Sequence, residues 1–200
     1  MNIAVFASGR GTNFAALHRA IKKGEIQAEI SLLVCDNPKA KALGRARRAG
    51  IKVALVKRED FATRSDFEQR IIRHLEENNI ELIALAGFMR VLGPDLVNRY
   101  RNKILNIHPA LLPSFKGAHA INDAFDYGVK TTGVTVHFVD EKMDHGPIIL
   151  QAAVEIKETD TLESLEARIH KVEHKIYPQA VRLFVEGKIK LEGRKTRIIQ

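Results

Sequence analysis

Short continuous apolar runs alternate with amphipathic stretches along most of this chain, a pattern that predicts strands and helices in succession. Ile3 to Ala7 is the first run. A Gly-rich turn follows, then a segment from about Asn13 to Lys23 in which Phe14, Leu17, His18 and Ile21 fall at helical spacing. The unit repeats with Ile30 to Cys35, Lys39 to Ala49, Val53 to Val56, a helix from about Arg64 to Glu77, and Leu82 to Ala86. Strands covered on both faces read as such unbroken apolar runs, and the helices between them supply right-handed crossovers. The expectation is an α/β fold with a doubly wound, mostly parallel sheet.

Beyond the midpoint the pattern changes. Ile104 to Ile107 predicts one more strand and Ala118 to Tyr127 a helix. Gly133 to Val139 then alternates, and Ile148 to Val154 is placed to pair with it as an antiparallel hairpin across a turn at Asp144. A last helix from about Leu162 to Glu186 contains Tyr177-Pro178, which predicts a kink or break near Tyr177. The closing segment from Glu192 to Gln200 reads as a short tail or edge strand. With no repeat, low-complexity stretch or linker in 200 residues, one domain spanning 1–200 is expected.

Three segments carry candidate chemistry. Asn106-Ile107-His108-Pro109 sets an amide and an imidazole on alternate residues, which an extended backbone points to one face. One could bind a developing oxyanion while the other moves a proton, and Asp144, in Asp-His-Gly-Pro, is a carboxylate able to hold the charged imidazole. Satisfying buried backbone groups at a strand end accounts for the same pair. The loop Ser8 to Asn13 joins the first strand to the first helix, where free amides and the helix dipole favour an anion. It has neither the Gly-Lys-Ser/Thr ending of an ATP-binding loop nor full dinucleotide-fold spacing, so a small phosphorylated substrate fits better than a nucleotide cofactor. A tight turn capped by Thr12 or Asn13 is the alternative. The third segment, Ala86 to Pro94, is an unusually apolar connection. It reads either as the wall of a pocket for a flat ring, with Met89 and Val91 on its faces, or as a plug of Phe88, Met89 and Leu92 under the next helix.

Composition narrows the partners. The net charge of +8, from 32 basic and 24 acidic residues, favours phosphate- or carboxylate-bearing ligands, but the basic residues are dispersed and Trp is absent. No nucleic-acid arm or base-stacking pattern is expected. The single cysteine, Cys35, excludes an internal disulfide, and no run approaches a membrane span or a secretory signal, which predicts a cytoplasmic protein without membrane attachment. The histidines show no metal-ligand spacing. No heptad seam is present, so a monomer or weak homodimer is expected.

The chain resembles the phosphoribosylglycinamide formyltransferases, a folate-dependent family of purine biosynthesis, nearly end to end. The resemblance rests on Ser8 to Asn13, Leu85-Ala-Gly-Phe-Met-Arg90, Asn106-Ile-His-Pro-Ala-Leu-Leu-Pro113 with Gly117, Gly133 to Val139, Asp144-His-Gly-Pro147 and Glu173-His-x-Ile-Tyr-Pro178. It implies a Rossmann-like formyltransferase fold, 10-formyltetrahydrofolate as co-substrate and no metal. It also implies a phosphate-binding amino-terminal half and a folate-binding, catalytic carboxyl-terminal half. By the same resemblance Asn106, His108 and Asp144 are catalytic, and Gly11, Thr12, Asn13, His170 and Glu173 bind glycinamide ribonucleotide. Arg64, Met89, Arg90, Val91, Leu92, Asn106, Asp140, Glu141 and Asp144 are implied for folate. His119 matches a family position near the site, whereas Ile121 stands where some relatives carry a second histidine, and Arg10 is left without a role. His137 reads as packed or paired. A 10-formyltetrahydrofolate hydrolase, a formyltransferase for another amine and a non-catalytic binding module are the competing readings.

Overall fold

The computed structural model describes residues 1–199; Gln200, the end of the expected tail, lies outside them. The elements in chain order are β1 Asn2–Phe6, α1 Thr12–Lys22, β2 Glu29–Cys35, α2 Lys41–Arg48, β3 Lys52–Leu55, α3 Arg64–Glu77, β4 Leu82–Leu85, α4 Pro94–Arg99, β5 Ile104–His108, α5 Ala120–Tyr127, β6 Thr131–Phe138, β7 Ile148–Glu155, α6 Leu162–Val185, β8 Ile189–Glu192 and β9 Lys195–Ile198. A 3-10 turn covers Arg58–Asp60. One sheet takes the strand order β3-β2-β1-β4-β5-β6-β7, and β8 and β9 form a second, two-stranded sheet. The chain divides into two compact units, Met1–Leu105 and the residues from Asn106 on.

In the first unit β1 pairs in parallel with both β2 and β4, and β2 with β3. Strand order 3-2-1-4 turns the chain back at β1, the doubly wound plan that the apolar runs predict. Ile3 to Ala7, Leu33 to Cys35 and Leu82 to Ala84 are almost wholly buried, as strands covered on both faces must be. Asn13, Phe14, Ala16, Leu17 and Ala20 give α1 one buried face, and Phe67, Glu68, Ile71, Ile72 and Leu75 do the same for α3. Thr63 starts α3 by accepting the Asp66 N–H. Pro94 opens α4 at a position where a missing N–H costs nothing; this short helix is absent from the periodicity reading.

In the second unit β6 and β7 pair antiparallel, Thr131 opposite Glu155 through His137 opposite Ile148, which is the expected hairpin. Helix α6 packs against both strands and against α5. It starts from a capping box in which the Thr161 side chain accepts the Ser164 N–H and the Ser164 side chain accepts the Thr161 N–H. The expected break near Tyr177 does not occur: α6 continues through Pro178 to Val185. Leu165, Ile169, Glu173, Ile176, Tyr177, Ala180, Val181 and Leu183 are buried on both sides of the proline, and that burial outweighs the roughly 3 kcal/mol an internal proline costs. The closing segment contains one strand, β9, which pairs antiparallel with β8 before it, Glu192 opposite Lys195 around Gly193 at φ 61°. Among the described residues no helix is long and apolar enough to cross a membrane.

Candidate active site

The loop after β1 takes its shape from Gly11. Gly11 has φ 68°, and a Cβ there would sit 2.8 Å from the Ala42 Cβ, so the close approach of this loop to α2 requires glycine. Ala42 N–H donates to the Gly9 carbonyl at 3.1 Å and completes that contact. Gly11 is also the N-cap of α1, with no side-chain cap among the described residues and no acidic residue in the first turn. The N-cap position is thus Gly11, with Thr12 and Asn13 inside the helix. A helix start of this kind presents amide N–H groups and the positive end of the dipole, which suit an anion.

Ser8 ties this loop to its neighbours within the first unit. Its hydroxyl donates to Asp36 Oδ1 at 2.6 Å and accepts the Met89 N–H at 3.0 Å, while Ser8 N–H donates to the Gly87 carbonyl. Arg90 Nε donates to the other Asp36 oxygen at 2.5 Å. Arg90 is thus an anchor for the segment after β4. Neither Ser8 nor Asp36 was singled out from the sequence for this part; the signal was their place immediately after two adjacent parallel strands.

The segment 89–93 has a second anchor in Glu68. This carboxylate is 4% exposed, accepts the Gly93 N–H at 2.5 Å, and accepts from Arg64 Nε at 2.9 Å. Arg64 Nη2 in turn donates to the Val91 carbonyl at 2.6 Å. Arg64, expected to face a ligand, here holds the loop with two of its nitrogens. Met89 and Val91 are exposed and Leu92 is buried, so the loop combines an outward apolar surface with an inward plug. Of the three residues of the plug reading, Leu92 is buried and Met89 is not.

In the second unit the expected dyad and carboxylate come together, and His137 joins them. His137 Nδ1–H donates to the Phe138 carbonyl at 2.7 Å, which leaves Nε2 to accept from Asn106 Nδ2 at 3.1 Å. Two bonds therefore fix both the imidazole tautomer and the orientation of the Asn106 amide. Burial pushes the His137 pKa below its ordinary value, so the ring stays neutral and keeps its acceptor. Sequence reading gave His137 only a packed or paired place; the available signal was its alternation in β6.

His108 is oriented by the loop that follows it. Its Nε2–H donates to the Phe115 carbonyl at 2.8 Å, and Nδ1 lies 3.5 Å from Asp144 Oδ2. That same carboxylate oxygen accepts the Gly117 N–H at 2.8 Å, and Asp144 Oδ1 is 3.8 Å from His137 Nε2. Phe115, Gly117 and Asp144 all adopt positive φ, of 49°, 98° and 47°, which turns one carbonyl toward His108 and one amide toward Asp144. Next to Asp144, Asp140 Oδ2 accepts from His145 Nδ1 at 2.7 Å and Oδ1 accepts the Lys142 N–H at 3.0 Å. Burial opposes ionisation of Asp140, but these bonds outweigh it and hold the carboxyl below its usual range. Glu141 is exposed.

Glu173 and His170 face each other across one turn of α6, His170 Nδ1 lying 2.8 Å from the Glu173 carboxylate. Burial, then the charge of Glu173, raises the nearby Tyr177 phenol well above its ordinary pKa. His119 is exposed at the start of α5, and its side chain does not cap that helix. Arg10 is exposed, and its carbonyl accepts from Arg45 Nε. Among the described residues no group of three or more histidine, cysteine or carboxylate side chains is arranged to hold a metal.

A cluster of amide, imidazole and carboxylate at the end of β5 can stabilise an oxyanion and relay a proton, the needs of acyl-level transfer. The sequence profile of the formyl transferases matches residues 1–181. The chain belongs to the formyl transferase family. It is 50% identical over 179 residues to a phosphoribosylglycinamide formyltransferase of Bacillus subtilis, a match that takes in 90% of this chain and 92% of that one. It is 44% identical to part of the trifunctional purine biosynthetic protein adenosine-3 of Gallus gallus, where the match covers 96% of this chain and 19% of the larger protein. The crystal structure of glycinamide ribonucleotide transformylase 1 from Symbiobacterium toebii superposes on this formyl transferase with a TM-score of 0.98 at 42% identity, over 100% of this chain and 94% of the other.

Proposed function

We propose that this formyl transferase moves the formyl group of 10-formyltetrahydrofolate to the amine of 5-phosphoribosylglycinamide. The products are phosphoribosyl-N-formylglycinamide and tetrahydrofolate, a step of de novo purine biosynthesis. The observation that carries the reading is the joint setting of Asn106, His108 and Asp144 in a chain half identical to a phosphoribosylglycinamide formyltransferase.

The amine nitrogen attacks the formyl carbon, and negative charge builds on the formyl oxygen. One N–H of Asn106 is committed to His137, and the other serves that oxyanion. Because His108 Nε2–H is held by the Phe115 carbonyl, Nδ1 is the atom that gains and gives the proton, beside the carboxylate of Asp144. As the bond from the formyl carbon to the folate nitrogen breaks, that nitrogen takes up a proton and the attacking amine loses one. The amine is a nucleophile by itself, so the step uses no metal. Gly11, Thr12 and Asn13 hold the phosphate, and Glu173 with His170 holds the ribose hydroxyls. Met89 and Val91 cover the pterin, Arg90 and Leu92 set the backbone that binds its edge, and Asp140, Glu141 and Asp144 complete the folate contacts. Arg64 serves the folate through the Val91 carbonyl and its remaining nitrogen. The enzyme works in the cytoplasm on small molecules as a monomer or weak homodimer.

The test is release of tetrahydrofolate from 10-formyltetrahydrofolate with and without glycinamide ribonucleotide. Release only with the amine present is expected. Release without it would make the protein a hydrolase, and none in either case would point to another acceptor.

A further inference from the structure

The carboxyl-terminal hairpin lies beyond the segment that the formyl transferase profile matches, and it adds little to the core: the residues of β8 and β9 are half-buried or exposed throughout. What it delivers is a set of directed polar contacts. Thr196 Oγ1 donates to the Ile148 carbonyl at 2.6 Å and fixes β9 along β7. Arg194, in the hairpin turn, donates from Nη2 to the His145 carbonyl at 2.7 Å. Its Nη1 is 3.1 and 3.0 Å from the two ring nitrogens of the same histidine, and a nitrogen equally near both must lie over the ring face. The His145 ring in turn holds Asp140.

We propose that Arg194 is a positioning residue for the 139–146 segment, fixing His145 and so the backbone that carries Asp144. The inference rests on the reading of this segment as part of the folate site. Asp144 is a non-glycine residue at φ 47°, a left-handed conformation that costs free energy and that its contacts offset. Gly117 N–H holds its carboxylate, and Arg194 holds the carbonyl of the next residue. The neck of the segment is closed independently. Phe138 N–H donates to the Pro147 carbonyl, and a Cβ on Gly146 would meet the Phe138 oxygen at 1.9 Å. Loss of Arg194 therefore loosens the tip of the segment without opening the sheet.

Arg194→Ala and Arg194→Lys in the full chain test this. Removing a charge-assisted bond and the ring contact lowers the fraction of molecules with the segment in place, and the apparent donor affinity falls by that fraction, about tenfold for alanine. Lysine keeps the charge but not the planar fork and recovers part of the loss. The expected result is a raised KM for 10-formyltetrahydrofolate, an unchanged KM for glycinamide ribonucleotide, an unchanged melting temperature, and faster cleavage after Lys142 by a lysine-specific protease. Unchanged donor KM and cleavage would overturn the proposal, as would equal rises in both KM values with a lowered melting temperature. Absence of formyl transfer by the unaltered protein would remove the folate reading alone, and cleavage after Lys142 would then decide whether Arg194 holds the segment.

Discussion

Replacing Glu68 by alanine removes the acceptor of the buried Gly93 N–H and the partner of Arg64. An orphaned buried amide costs about 1–3 kcal/mol. The Arg64 side chain is half exposed, so solvent screening reduces that pair to about 0–1 kcal/mol. The sum is about 1–4 kcal/mol, or a fall in melting temperature of roughly 2–16 °C for a chain of this size. Glutamine keeps an oxygen for Gly93 N–H and loses only the charge, so Glu68→Gln is expected to cost about 1 kcal/mol. Urea denaturation of the three proteins gives both numbers. Because the same contacts hold Val91 to Gly93, Glu68→Ala should also raise the KM for the formyl donor several-fold more than that for the amine substrate. A change below about 0.5 kcal/mol for alanine, or an equal loss for both variants, would refute the role of Glu68 as acceptor for this loop.

His108→Ala is expected to lower kcat by about 10²–10³ with little effect on either KM, which steady-state kinetics will show; a pure KM effect would assign His108 to binding. Gly11→Ala puts a Cβ 2.8 Å from the Ala42 Cβ in a left-handed conformation and should destabilise by about 1–3 kcal/mol while raising the KM for the ribonucleotide, and Asn13→Ala should raise that KM well above the KM for the formyl donor, both read by steady-state kinetics. Burial depresses the pKa of His137 from 6.5, and His18 and His74 shift the same way, so the unfolded chain takes up protons before the folded one. Stability should therefore decline as pH falls below 6.5 and go on declining through the folded-state pKa values, measured by denaturation across that range; a rise on acidification would contradict the assignment of a neutral buried His137.

The strands of the first unit were legible because burial on both faces leaves continuous apolar runs, and β6 because Val134, Val136 and Phe138 alternate with Thr135 and His137, although these polar residues are buried too and only β7 is partly exposed. Helix α4 escaped since six residues give too few turns for a periodicity. Pro178 misled because local propensity cannot register the buried face that carries α6 past it. The β8–β9 hairpin had a signal, Ile189 and Leu191 alternating with Lys190 and Glu192 before Gly193, but short exposed strands carry weak hydrophobic contrast. At the site, Asn106, His108 and Asp144 were recognisable as residue types suited to the chemistry. Their orienting partners were not: Phe115 and Gly117 act through backbone atoms, which no side-chain pattern encodes. In the first unit the hold of Glu68 and Arg64 on the 91–93 backbone was hidden for the same reason, since it exists only after the chain has folded.

The central claim is that the formyl carbon moves from folate to the ribonucleotide amine. Supplying 10-formyltetrahydrofolate labelled with carbon-13 in the formyl group, together with glycinamide ribonucleotide, follows that carbon directly by NMR. The account predicts the label in the formamide of phosphoribosyl-N-formylglycinamide, at a rate that collapses in His108→Ala. Label recovered as formate, with the ribonucleotide unchanged, would contradict it.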